Sequence, residues 1–191
     1  MRAVLLSGII ATFFAASAIA QGQNTVAVVG IIETFDATSI SVKNEAGAVE
    51  SFKLAPNVVV VQNKPATPND IKTNDFIASA AVRREDGKLH STELRIFPEV
   101  LRGVGEGQRP MNDPRNQTMT NATVTGTATV GGSNTIKVKF PGGESELVLD
   151  PGVPVIAILP ADKSMVKAGA RVRVQGAKTA DGAVANRITL Q

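Results

Sequence analysis

The sequence predicts an all-β protein in which one small module is written twice. Short runs alternate apolar and polar residues, and side chains of a strand point alternately to opposite faces. Glycine, proline and asparagine separate those runs, as turns require. Residues 26–97 can be laid over residues 124–190 with one order of strands and turns, which is the mark of an internal repeat.

The elements match in order. Each copy opens on a strand with a glycine, 26–30 ending at Gly30 and 124–126 ending at Gly126. An alternating run follows, 39–43 against 135–139, then a polar turn, 44–47 against 141–143, then a second strand, 51–54 against 145–149. An apolar run comes next, residues 58–61 against 155–159. Val58, Val59, Val60 and Val61 do not alternate, which predicts a strand covered on both faces. Residues 66–71 and 162–166 suit a single helical turn each. Residues 71–77 then align with 166–172, placing Asn74 opposite Gly169. These residue types best tolerate the left-handed conformation of a tight turn. Each copy ends on a hairpin around Asp-Gly, at Asp86-Gly87 and Asp181-Gly182, where a two-residue turn would need positive φ at both residues.

Five or six short strands in about 70 residues argue for a barrel or sandwich, because such a unit must hide its edges. The expected architecture is two tandem small OB-like β-barrels, residues 24–98 and 124–191. Residues 99–123 between them hold Gly103, Gly105, Gly107, Pro110 and Pro114 among asparagines and arginines, the composition of a linker. Asn116 and Asn121 each begin a glycosylation sequon.

The amino terminus reads as a signal peptide helix over residues 1–20. Arg2 precedes an apolar run to Phe14, and Ala18-Ile19-Ala20 offers a cleavage site after Ala20. The apolar run is short for a bilayer span, and no later segment is long and apolar enough. The expected location is therefore periplasmic or secreted, with no transmembrane segment after cleavage. The chain has no Cys, so disulfides and thiolate metal sites are excluded. Its net charge of +3 comes from interspersed residues, unlike the clustered charge of a nucleic-acid binder. Phe35, Phe52, Phe76, Phe97 and Phe140 fall mostly where a strand needs core residues, leaving no stacking platform for bases.

Chemistry has few candidates. There is one His, no Tyr and no Trp, and no serine sits in a nucleophile-elbow context. His90 follows the first Asp-Gly turn, and the second copy has apolar residues there. A surface or strand-edge histidine is the favoured reading. The candidate metal ligands are His90, Met111 and Met119, two of them soft thioethers. The carboxylates show no metal-ligand spacing, and Asn69-Asp70 and Asn74-Asp75 read as turns. The candidate binding residues are Arg102, Glu106, Gln108 and Arg109 of the linker. No cofactor is implied.

The layout of Thr135-Ile-Lys-Val-Lys139, of the hydrophobic-Lys-x-Asn/Gly steps at 71–77 and 166–172, and of the Asp-Gly hairpins resembles bacterial envelope proteins of the domain-of-unknown-function 5666 type. The resemblance covers both modules and the linker, whose 102–111 stretch and Met119-Thr-Asn-Ala-Thr123 are its more distinctive parts. It implies an envelope location and no defined activity. The family pattern places a His and a Trp where this chain has Gln108 and Met111, so any metal role of that His is lost here. The expectation is a non-catalytic envelope protein that binds an envelope protein, a wall component or a small ligand. A periplasmic metal-binding or metal-stress protein is the alternative.

Overall fold

Alternation becomes strands wherever the sequence shows it. The computed structural model describes residues 25–191, so the signal-peptide reading of residues 1–20 lies outside the described residues. In chain order the strands are β1 (Thr25–Phe35), β2 (Ser39–Asn44), β3 (Val49–Ala66), β4 (Phe76–Arg83), β5 (Leu89–Phe97) and β6 (Gly107–Pro110). They continue as β7 (Thr118–Val130), β8 (Ser133–Phe140), β9 (Gly143–Leu149), β10 (Val155–Pro160), β11 (Arg171–Thr179) and β12 (Gly182–Leu190). Among the described residues the helical pieces are single 3-10 turns at Pro68–Asp70, Glu99–Leu101 and Lys163–Met165. Two of the three fall where the sequence predicts one helical turn. No helix among the described residues is long and apolar enough to cross a membrane.

Five strands close a barrel. β1 pairs with β2, β2 with β3, β3 with β12, β12 with β11, and β11 with β1. The β3–β12 contact is parallel and the others are antiparallel. Its interior is filled by Val28, Ile32, Ile40, Val42, Phe52, Val172, Val174 and Ile188, all buried. Each such side chain contributes roughly 1.5–3 kcal/mol by leaving water. A second ring of pairings repeats the order with β7, β8, β9, β5 and β4. Its parallel contact, β5 with β9, is only Leu89 opposite Leu147 and His90 opposite Val148. Ile77, Leu89, Leu94, Val124, Ile136, Leu147 and Leu149 fill it.

These pairings correct the expectation of one barrel per copy. The first closed ring takes β1, β2 and β3 from the first copy but β11 and β12 from the second. The second ring takes β7, β8 and β9 from the second copy and β4 and β5 from the first. The terminal hairpins are exchanged. Residues 99–123 are correspondingly not a structureless linker. They contain a 3-10 turn, β6 and the start of β7, and β6 pairs with β7 from Gly107↔Asn121 to Pro110↔Thr118.

β10 joins the rings. It runs antiparallel to the end of β3, Val155↔Ala66 through Pro160↔Val61, and parallel to β5, Val155↔Leu94 through Ala157↔Ile96. The two apolar runs matched in the sequence lie on neighbouring strands but out of step, residues 155–159 pairing with 62–66, just past the first copy's run. Val58 and Val60 pack into the first barrel, while Val61 and Val59 pack with Ile158 and Leu101 on the other side. The expected two-sided burial is met.

The turns are partly as predicted. Asn74 and Gly169 both take positive φ, 76° and 86°. At the terminal hairpins, however, only Gly87 and Gly182 do so. The first is a wider turn, closed by Gly87 N–H to Arg84 O and Arg84 N–H to Lys88 O, so Asp86 keeps an ordinary backbone. Turns with two left-handed residues arise instead at Gly131-Gly132, φ 58° and 83°, between paired Val130 and Ser133. Asp70 accepts the N–H and hydroxyl of Thr67, and Asp75 accepts the N–H of Lys72, consistent with turn roles.

The repeat also shifts in register at its first strand. Ile32 and Val124 hold equivalent places, each followed by a bulge and each paired with the positive-φ turn of the other copy. Gly30 is therefore not the counterpart of Gly126. A Cβ on Gly30 would lie 2.1 Å from the carbonyl oxygen of Lys43, whereas one on Gly126 meets nothing within 4 Å.

Candidate functional site

Alternation that buries one face of a strand exposes the other, and the exchanged rings turn two such faces toward each other. On β11 and β12, Val172, Val174 and Ile188 point into the barrel. Arg173, opposite Thr189, and Gln175, opposite Arg187, therefore point outward. In the second ring Ile77 and Leu94 are core, and the outward cross-strand pairs are Ala78 with Arg95, Ala80 with Glu93, and Phe76 with Phe97. The same face of β7 carries Met119, beside Ala80, and Asn121, beside Ala78.

Between these faces lies a cleft of about 450 Å³. Val61 of β3 and Ile158 of β10, both buried, contribute to its lining from the join between the rings. Ala78 and Ala80 leave room in one wall. Four arginines line it (Arg95, Arg109, Arg173 and Arg187) against one carboxylate, Glu93. Arg95 donates from Nε to Glu93 Oε1 at 2.6 Å, and Arg109 donates to Gly105 O at 2.7 Å. Among the described residues no carboxylate forms an ion pair with Arg173 or Arg187, and residues 1–24 contain no Asp or Glu. Burial of Arg187 pulls its pKa below the usual guanidinium range, and the charges of Arg173 and Arg95 add to that pull. This is the signature of positive charge gathered without compensation. Asn121 donates from Nδ2 to Val104 O at 2.8 Å, while its Oδ1 is buried with no partner.

The structure sorts the sequence-predicted residues unevenly. Arg109, Met111 and Met119 line the cleft. Arg102 is occupied by Glu99, at 2.7 and 2.8 Å, and by Asn74 O at 2.9 Å. Gln108 is tied to Thr120 and Ser145, 3.0 Å each. Glu106 borders a separate hollow beside Phe140. His90 is remote from the two methionines' cleft and is not a surface histidine: it is buried at 8% exposure. Asp150 Oδ2 lies 2.9 Å from its Nδ1 and Asp86 Oδ2 lies 3.0 Å from its Nε2. Because Asp86 and Asp150 engage opposite ring nitrogens, they do not converge on a point. No group of three His, Asp or Glu among the described residues is placed to hold a metal ion. Ser133 donates its hydroxyl to Asp150 Oδ1 at 3.1 Å, so its bond is to the carboxylate and not to the imidazole.

The sequence reading missed Arg95, Arg173 and Arg187. Each sits at an ordinary polar position of an alternating strand, and only the exchange brings β5, β11 and β12 to one cleft. The chain matches no protein-family model, no curated protein and no solved structure.

Proposed function

We propose that the chain is a non-catalytic binding protein of the bacterial envelope, periplasmic or secreted, built from two OB-like barrels with exchanged hairpins. The cleft between them is its ligand site. The observation that carries this reading is the cleft itself, concave, walled by both rings, and lined in comparable parts by apolar side chains and by convergent polar and charged ones, and ligand sites are concave places where polar groups converge on an apolar lining. The order of strands in each ring, with one parallel contact, supports the OB-like assignment. The signal-like residues 1–20 and the resemblance to domain-of-unknown-function 5666 proteins support the location. A binding role fits a site rich in arginine and lacking a nucleophile paired with a base.

The test is retention. Immobilised chain 21–191 is exposed to envelope extract and its retained components are compared with those of Ala80→Trp, which fills the cleft from one wall. A component held by the wild type and lost from the variant is expected. Equal retention by both, with both folded by circular dichroism, would sink the reading.

A metal-binding role has one observation in its favour, the presence of Met111 and Met119 in the same cleft. Titration with copper(I) decides it: no saturable binding ends that alternative.

A further inference from the structure

The arginines and the unpartnered amide oxygen of Asn121 name a ligand more narrowly, on the premise that the cleft is the binding site. The geometry points to a small organic anion: a phosphate or carboxylate, held by Arg173, Arg187 and Arg95, carried on a compact body that bears hydroxyl donors and an apolar face.

Three features carry this. The first is the charge. Guanidinium groups match carboxylate and phosphate oxygens in shape and charge, and a bidentate pair is the strongest contact of this type. Arg187 and Arg173 lie on neighbouring strands of one barrel, with Gln175 facing Arg187. Arg95 faces them from the other ring, on the strand position beside Ile156 of β10, as Arg187 stands beside Val59 of β3. Like charges so grouped cost stability unless an anion joins them. Glu93 balances Arg95 only.

The second feature is the buried Oδ1 of Asn121. A buried acceptor with no donor costs about 1–3 kcal/mol, and its Nδ2 is already fixed on Val104 O. The group that completes it must be an O–H or N–H; inorganic phosphate carries a P–OH of its own but no carbon body to hold it against the apolar lining. The third is the apolar surface of Val61, Ile158, Phe97 and Met119 in the same lining. It accepts a ring or short carbon skeleton, and the cleft volume of about 450 Å³ limits the body to a small molecule.

The experiment uses calorimetric titration of chain 21–191 with glucose 6-phosphate, glucuronate, inorganic phosphate and glucose. The two sugar anions should bind saturably and raise the melting temperature. Glucose and inorganic phosphate should each bind at least about tenfold more weakly, since each lacks one half of the recognition. The double variant R173Q/R187Q should lose at least about tenfold in affinity for the sugar anions. Without ligand it should melt no lower than the wild type, because it relieves repulsion. Added salt should weaken binding to the wild type. Failure of both sugar anions to bind below about 10 mM, or equal binding by the double variant, would overturn the inference. If Ala80→Trp still abolishes retention of an envelope component in that event, the cleft remains the site and only its anionic ligand is lost. If retention too is unchanged, both readings fall.

Discussion

Asn74 and Gly169 stand at the same turn of the two copies, and each hands its backbone N–H to the opposite copy: Asn74 to Val124 O at 2.8 Å, Gly169 to Ile32 O at 2.9 Å. Both require positive φ. A Cβ at Gly169 meets nothing within 4 Å, so the cost of a side chain there is conformational alone. Gly169→Ala should destabilise by about 1–2 kcal/mol, the penalty of the left-handed region for an ordinary residue. Asn74→Gly should change stability by about 0.5 kcal/mol or less. Urea midpoints at constant m-value measure both. An unchanged midpoint for Gly169→Ala would show that the turn relaxes.

Close approach is a different constraint from left-handed backbone, and Gly176 tests it. A Cβ there would lie 1.9 Å from Val184 O and 2.7 Å from Val184 C, both backbone atoms that cannot rotate away. It sits at the bulge between β11 and β12, where glycine lets one backbone press on the other. Gly176→Ala should cost about 3 kcal/mol or more, beyond ordinary overpacking. Gly126→Ala, with open space and an ordinary φ, should be near neutral or slightly stabilising. Thermal melts of the two variants should differ by many degrees, and similar melts would refute the contrast.

The exchange of hairpins makes a prediction about the halves. Residues 25–112 and 113–191 each hold three strands of one ring and two of the other, so neither can bury both its apolar faces by the observed pairings. The join falls near exposed Asn112 and Pro114, where a break severs no strand. Expressed together, the two fragments should associate one to one and give the circular dichroism of the intact chain. Alone, each should be less structured or should pair with a second copy of itself. A fragment that folds as a monomer with the stability of the whole would show that its own hairpin closes its own ring equally well.

That ambiguity is why the sequence reveals strands and turns but not their partners. Val58 to Val61 is legible because an unbroken apolar run within a strand has one explanation, cover on both faces, although the run and the expected strand at 51–54 belong to the single long β3. Asn74 and Gly169 are legible because few residues tolerate positive φ. The exchange is not legible, because β4–β5 and β11–β12 carry the same alternation and satisfy either ring; the choice is made by tertiary geometry, through β10 and the join at β3. The cleft follows from the exchange, so Arg173 and Arg187 look like solvated strand residues until β5 is placed across from them. Of the linker residues, Arg109, Met111 and Met119 reach the cleft because β6 pairs with β7, whereas Arg102 is consumed by Glu99 and Asn74 and Gln108 by Thr120 and Ser145. His90 was hidden for a related reason. Its partner Asp150 is 60 positions away, beyond any local pattern.

The contact of His90 with that distant carboxylate should make stability depend on pH. The hydrogen bond that His90 donates to Asp150 raises the His90 pKa above 6.5 against the opposing effect of burial; Asp86 adds to the rise and Arg84 opposes it. Asp150 is lowered from 3.8, chiefly by His90, and Asp86 is lowered chiefly by the N–H of Lys88 and then by His90. A raised histidine stabilises the fold fully below its unfolded value of 6.5, and that stabilisation is lost as pH rises through the folded value. Lowered carboxylates stabilise above 3.8, and their share is lost as pH falls through their folded values. The clamp should therefore be strongest at about pH 5–6. There His90→Gln should cost about 1.5–3 kcal/mol, the range for hydrogen bonds to charged groups, and the difference from the wild type should shrink toward pH 9. Since the chain has a single histidine, its imidazole protons can be followed by NMR. The midpoint should lie above 6.5 and fall back in Asp150→Asn, where the charged partner is gone but the shape is kept. A midpoint at or below 6.5 in the wild type, or one unmoved by Asp150→Asn, would show that burial outweighs the ion pair and that the clamp is a neutral hydrogen bond.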